Sequence, residues 1–405
     1  MMKKRIFLNA IFIALIFSVV FISCSKKDVV ESITEDELFT LKYGNFEEQI
    51  NVFSLNEIGD IQTGLCMKDG FFYIVNGESE KIMELNSYGD LLTLFYNEDS
   101  LTKELIDSSA ESTVSIHNEI NFPFGYPGLI AVDSTKCMYV VSTIPRDRQE
   151  QSEDGEMLYS QTVLRIPRDG SQIDYIGQQG PGGTPFPHVR NIYTTSKDEL
   201  VVVTSAPDGF LVFWFGDNGF LKYMIPINSS EAPKINGIDD DSEVYLSIET
   251  VIPDYNEYKL FAKIDYYSSY SDKASKAQAG VQFMSTLLYP LDIVTGLYED
   301  AVSIPPYEEY VTVDYSKLTY KIPYDFLGIT KNGWKFFVVS TDTGFDVEMI
   351  DTESQKVLHR HFNVNKSNVL FHNMNLSADG IISAIYVEQD KARVVWYRTD
   401  KLINN

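Results

Sequence analysis

A three-residue signature constrains this chain more than any other feature. Any residue, then Gly or Asn, then Leu or Ile, recurs as Thr63-Gly64-Leu65, Pro127-Gly128-Leu129, Arg190-Asn191-Ile192, Asn236-Gly237-Ile238, Leu327-Gly328-Ile329 and Met374-Asn375-Leu376. A polar turn follows each copy: Lys68-Asp69-Gly70, Asp133-Ser134-Thr135, Ser196-Lys197-Asp198, Asp239-Asp240-Asp241, Lys331-Asn332-Gly333 and Ala378-Asp379-Gly380. Apolar runs then begin at 71–75, 138–142, 200–204, 244–248, 334–339 and 381–387. Asp-Gly and Asn-Gly supply the positive φ that a tight hairpin needs. A recurring strand–turn–strand unit cannot bury an apolar face alone, so it must pack against its next copy.

A third strand, a second turn and a fourth strand extend most copies. They fall at 81–85 and 91–96, at 163–166 and 173–176, at 210–215 and 220–225, and at 345–350 and 357–362. Each unit is therefore a four-stranded antiparallel meander. The signature is spaced by 64, 63, 46, 91 and 47 residues. The short intervals match one blade of a β-propeller, at about 40–50 residues. The long ones require insertions near 97–125, 146–160 and 266–323. In the last of these, Ser271-Asp272 is expected to cap a helix over 274–288. The final unit has only three strands, ending with 392–397, while 38–55 has a strand pattern and no unit of its own. The reading is an all-β, six-bladed propeller over 38–405, its last blade completed by the N-terminal strand, which leaves no open edge. Seven blades is the alternative, because 91 is close to twice 46.

The second unit carries a family resemblance. Pro127-Gly128-Leu129-Ile130-Ala131-Val132-Asp133, then Met138-Tyr139-Val140-Val141, then Val163-Leu164-Arg165-Ile166 before Asp169-Gly170, resembles the NHL repeat. The stretch from Ile176 through Gly177, Gly180, Gly182 and Gly183 to Pro187 looks like the glycine-rich linker between NHL-like blades. With the leader described next, the chain resembles the six-bladed propeller lipoproteins of bacterial envelopes. That resemblance implies a propeller and assigns no catalytic residues.

The leader is of the secretory type. Lys3, Lys4 and Arg5 precede an apolar run over 6–22, and Ser23-Cys24 ends it. This is a basic, then apolar, then small-residue layout. A cysteine directly after the apolar run predicts cleavage after residue 23 and a lipid on the Cys24 thiol. Residues 24–37 read as a lipid-anchored flexible tether, and Ser25 points to the outer membrane. Two or more acyl chains hold a protein on a bilayer stably. The alternative is a single membrane span, for which 17 apolar residues are short.

Composition narrows the partners. Lys+Arg number 33 against 58 Asp+Glu, a formal net charge of −25, and loss of residues 1–23 would remove three cations more. Nucleic-acid affinity comes from Lys and Arg on phosphates, so that class is excluded. Three Cys are too few for a disulfide scaffold; Cys66 and Cys137 read as separate buried thiols, with pairing as the alternative. Gly177–Gly183 lacks the Gly-Lys-Ser/Thr of a phosphate loop. His359 and His361 lie two apart on an expected strand and so share one face, a spacing that suits zinc, yet no third ligand is recognisable nearby and a solvated face is preferred. His117, His188 and His372 are scattered. Asp239-Asp240-Asp241 reads as a turn rather than a calcium site. The insert from Arg146 to Glu156 reads as a solvated loop, with partner contact as the alternative. Asn191, Asn236, Asn375 and Asp239 lie near inner-strand positions, where a propeller enzyme would hold a metal. The preferred expectation is a non-catalytic binding or scaffold module for protein or peptide partners, lipid-anchored outside the cytoplasm and without cofactor. The alternatives are a metal-dependent hydrolase, lactonase or lyase, and a glycan-capture lipoprotein using exposed Tyr and Trp.

Overall fold

The computed structural model describes residues 30–52, 62–99, 118–236, 243–271, 278–313 and 316–404. The leader, Cys24, Asp239-Asp240-Asp241 and His117 lie outside these residues. The chain forms a six-bladed β-propeller. Blade one is Thr63–Lys68, Phe71–Asn76, Lys81–Leu85 and Leu91–Tyr96, with Asn118–Asn121 added in parallel outside. Blade two is Ile130–Val132, Met138–Thr143, Gln161–Ile166 and Asp174–Gly177, with Gly180–Pro181 outside. Blade three is Val189–Thr194, Leu200–Ala206, Gly209–Phe215 and Leu221–Asn228. Blade four is Val244–Pro253, Lys259–Ser271 and Gln278–Asp292, flanked by Leu297–Tyr298 and Val302–Ile304. Blade five is Asp325–Ile329, Lys335–Thr341, Gly344–Asp351 and Lys356–Asn363, and blade six is Phe371–Leu376, Ile382–Val387 and Ala392–Tyr397.

The N-terminal strand closes the ring. Asp36–Tyr43 pairs antiparallel with Ala392–Tyr397 as the fourth strand of blade six. It inserts Phe39 and Leu41 into the core between blades six and one. The Tyr43 hydroxyl donates to the carbonyls of Glu388 (2.5 Å) and Lys391 (2.7 Å), tying the strand to the neighbouring hairpin. Just before it, Glu31–Ile33 runs parallel to Arg360–Phe362 on the rim of blade five, so the ordered body begins before the end of the expected tether.

Every blade is buried on both faces, which is why its strands read as continuous apolar runs. In Phe71–Asn76, Phe72 and Ile74 face blade six while Tyr73 and Val75 face blade two. Six apolar cores result, one in each seam of the ring. Each fully buried side chain such as Phe72 or Phe213 contributes roughly 1.5–3 kcal/mol relative to exposure.

The six-bladed reading holds and the seven-bladed alternative falls. Two expectations about blade four are corrected. The expected helix over 274–288 is the strand Gln278–Asp292, paired along its length with Lys259–Ser271. Local Ala and Gln content suggests a helix, but the long cross-strand register, with Phe283 against Tyr267 and Tyr289 against Ala262, overrides it. In blade four Val244–Pro253 is the inner strand rather than the second, its turn is 254–258, and Asn236 is exposed ahead of it, while Gly237 and Ile238 lie outside the described residues.

Strand direction sorts the connections onto two ends. Inner strands all start at one end, here the leading end, and finish at the trailing end. At the trailing end every connection within a blade is two to seven residues long. These turns are self-capped: Asp133 Oδ1 accepts from the backbone N–H of Thr135 and Cys137, and Thr195, Thr330 and Ser377 hydroxyls accept from the backbone N–H of Glu199, Trp334 and Ile381. Asp69 and Gly70 both have positive φ, as the Asp-Gly turn predicts. The long insertions, 97–129, 144–160 and 305–324, all leave from and return to the leading end, as does the tip of the tall blade-four hairpin.

Candidate functional site

Two concave regions stand out. The first is the central channel, a cavity of about 410 Å³ lined by the inner strands of all six blades. The signature residues sit here for a steric reason. A Cβ on Gly64 would meet the Gly128 carbonyl oxygen at 2.5 Å, and one on Gly128 would meet Gln62 Oε1 at 2.7 Å. At Gly64 the neighbouring backbone leaves no room for a Cβ, whereas at Gly128 the end of the Gln62 side chain would have to move. In blade six, asparagine amides bridge to the next blade. Asn375 Oδ1 accepts from the Met67 N–H (3.0 Å) and Asn373 Oδ1 from the Leu65 N–H (3.1 Å). These carbonyl oxygens are committed to joining blade six to blade one.

Among the described residues the channel lining contains no Asp, Glu or His; its charged members are Lys68 and Arg190. Asn191 and Asn375 line it, and Asn236 does not. Tyr193 also lines it, with its hydroxyl buried beside Asn191. Cys66 is a free thiol buried between blades one and two, and Cys137 is a free, half-buried thiol on the seam of blades two and three. Burial pushes both up to about 12, so neither is a nucleophile near neutral pH.

His359 and His361 do share one face of their strand. The structure adds what sequence spacing missed: Glu348 lies directly opposite His359, and Asp346 opposite His361. The partner strand is joined by an ordinary hairpin, so the signal was the alternation of Asp346 and Glu348 with Phe345, Val347 and Met349. Asp346 Oδ1 sits 2.6 Å from His361 Nδ1, and the Tyr324 hydroxyl 3.4 Å from His359 Nε2. Glu348 is 5% exposed and its Oε1 has no partner among the described residues. Among those residues no group of three His, Cys, Asp or Glu is placed to hold a metal ion.

The second concavity is larger, about 880 Å³, and opens in the seam of blades one and two among leading-end connections. Its walls carry Phe122, Phe124 and Tyr126 from the first insertion, Ile144, Pro145, Arg146 and Arg148 from the second, and Tyr175 from blade two. Arg146–Arg148 form a single exposed turn, and a short hairpin, Glu150–Gln151 with Leu158–Tyr159, completes that insertion. Among the described residues, Glu80 is the one acidic side chain in the lining. Burial raises its carboxyl above the usual range, and Asn97 Nδ2 donates to it at 2.8 Å.

No family model and no curated protein matches this chain. Solved structures similar to it include the gluconolactonase XC5397 from Xanthomonas campestris (10% identity, 83% of this chain and 84% of that one, TM-score 0.36). Polysaccharide lyase Uly1 (8% identity, 91% and 99% covered, TM-score 0.41) and the hydrazine synthase of Kuenenia stuttgartiensis (11% identity, 84% and 97% covered, TM-score 0.36) are also similar. Likeness at this level carries no activity over to this chain.

Proposed function

We propose that this protein is a lipid-anchored propeller outside the cytoplasm that binds protein or peptide partners through its leading end, without catalysis of its own. The observation that carries this reading is the segregation of loops. Trailing-end turns are short and self-capped, whereas every long insertion gathers at the leading end. Loops on a rigid scaffold are where recognition is usually built. The channel fits the same reading: its Asn373 and Asn375 oxygens hold the ring together, and its described lining carries no Asp, Glu or His.

Photo-crosslinking in the native envelope tests it. A crosslinker at exposed Leu158 or Tyr310, both in leading-end insertions, is expected to trap a protein partner; one at Tyr88 or Phe220, in trailing-end turns, is expected to trap none. Equal or reversed yields overturn the proposal. The anchor is tested separately: the Cys24→Ala variant is expected to lose metabolic labelling by palmitate and to leave the membrane fraction.

A further inference from the structure

Resting on that reading, we infer that the cleft between blades one and two is the anchoring site, and that its occupant is a peptide segment in which carboxylate side chains alternate with apolar residues or prolines.

Charge complementarity is the first argument. On a chain of net charge −25, the cleft presents Arg146 and Arg148 from one turn. No hydrogen bond or ion pair to the described residues engages either guanidinium. Asp147 between them is not part of the lining, and Glu80 across the cleft is held by Asn97. Two free guanidinium forks at the mouth of one groove are suited to paired carboxylates, each taken by parallel N–H···O bonds.

The walls decide between a peptide and a sugar. A neutral glycan needs many side-chain donors and acceptors for its hydroxyls, and the amides of Asn97 and Gln149 and the hydroxyl of Ser142 are engaged within the protein. Gln149 Nε2 donates to the Ile144 carbonyl (2.9 Å), Ser142 Oγ to the Gly125 carbonyl (3.0 Å), and Asn97 Nδ2 to Glu80 and to the Phe124 carbonyl (3.1 Å). Beside the two guanidinium groups the lining is largely apolar and aromatic: Tyr126 and Tyr175 are 48% and 45% exposed, and Phe122, Phe124, Ile144 and Pro145 complete the walls. A groove of rings and prolines takes extended, proline-containing chain, and the guanidinium groups fix its register through acidic side chains.

The test uses the mature protein and three sets of short fluorescent peptides, identical in their Pro and aliphatic positions and carrying two Glu, two Gln or two Lys. Tetragalacturonate is the anionic glycan control. Polarisation titrations at low and moderate salt are expected to show the Glu set binding about tenfold or more tighter than the Gln and Lys sets, with the margin shrinking as salt rises. The Arg146→Gln/Arg148→Gln double variant is expected to lose that margin with an unchanged melting temperature, because both side chains are exposed. The Tyr175→Ala variant is expected to weaken all three sets together. Wild-type affinity for the Glu set in the double variant overturns the inference. So does the absence of binding by any peptide, and so does tetragalacturonate binding with no peptide binding. In each of those cases partner trapping at Leu158 would preserve the leading-end reading and discard only this cleft.

Discussion

Glu348 shows how one side chain sets a pH dependence for the fold. It faces blade four from the third strand of blade five, beside Asp346 and across from His359, with Tyr324 over it. Burial pushes its carboxyl up to about 7 from an ordinary value of 4.5. The folded state therefore keeps a proton that the unfolded chain has already released. Stability from this group falls as pH rises between about 4.5 and 7, and stays lowered above, by on the order of 3 kcal/mol. The Glu348→Gln variant is expected to match wild type near pH 4 and to exceed it at pH 8 in denaturant unfolding; an equal difference at both pH values would refute this. Asn375 is the second case. Its replacement by Ala strands the Met67 N–H near the axis, with an expected loss of about 1–3 kcal/mol. The signature that contains Asn375 was plain in the sequence, but its purpose was not. Spacing marks positions near an axis; it does not say that an amide oxygen reaches a neighbouring backbone. Likewise Asp346 and Glu348 could not be joined to His359 and His361 before the strand register was known.

At the scale of elements, turns and short strands were legible because Asp-Gly, Asn-Gly and Gly-Asp punctuate them. The closing strand was legible because 392–397 lacked a partner and 38–55 lacked a blade. Blade four was not legible. Its strands run 10, 13 and 15 residues, and no Gly-rich turn marks their ends in the usual rhythm. The Ala-containing stretch then resembles a helix until its pairing partner is known. The closing strand also makes a clear prediction. Phe39 is 8% exposed and meets Phe72 edge-on at 5.6 Å between centroids. The Phe39→Ala variant is expected to cost about 3–5 kcal/mol in calorimetric or denaturant unfolding. Deleting residues 30–43 bares the edge of Ala392–Tyr397 and is expected to yield aggregates in size-exclusion chromatography; a monomeric, fully folded truncation would contradict the role given to this strand.

Across the whole molecule, each core is shared by two blades, so no blade owns a complete interior. Unfolding is expected to be a single transition. The three Trp residues test this, since Trp214 lies in the seam of blades three and four, Trp334 in that of five and six, and Trp396 packs against the core of six and one. Single-Trp variants are expected to report coincident midpoints, and separated midpoints would mean that blades melt independently. The short strand Glu31–Ile33 bears on the molecule as a whole in a different way. It approaches blade five parallel to Lys356–Asn363, travelling from the trailing end toward the leading end. The lipid anchor proposed on Cys24 would leave six residues, 25–30, before this strand, a leash of roughly 20 Å at full stretch. A leash that short would hold the rim of blade five close to the lipid surface, whichever end of the ring faces outward.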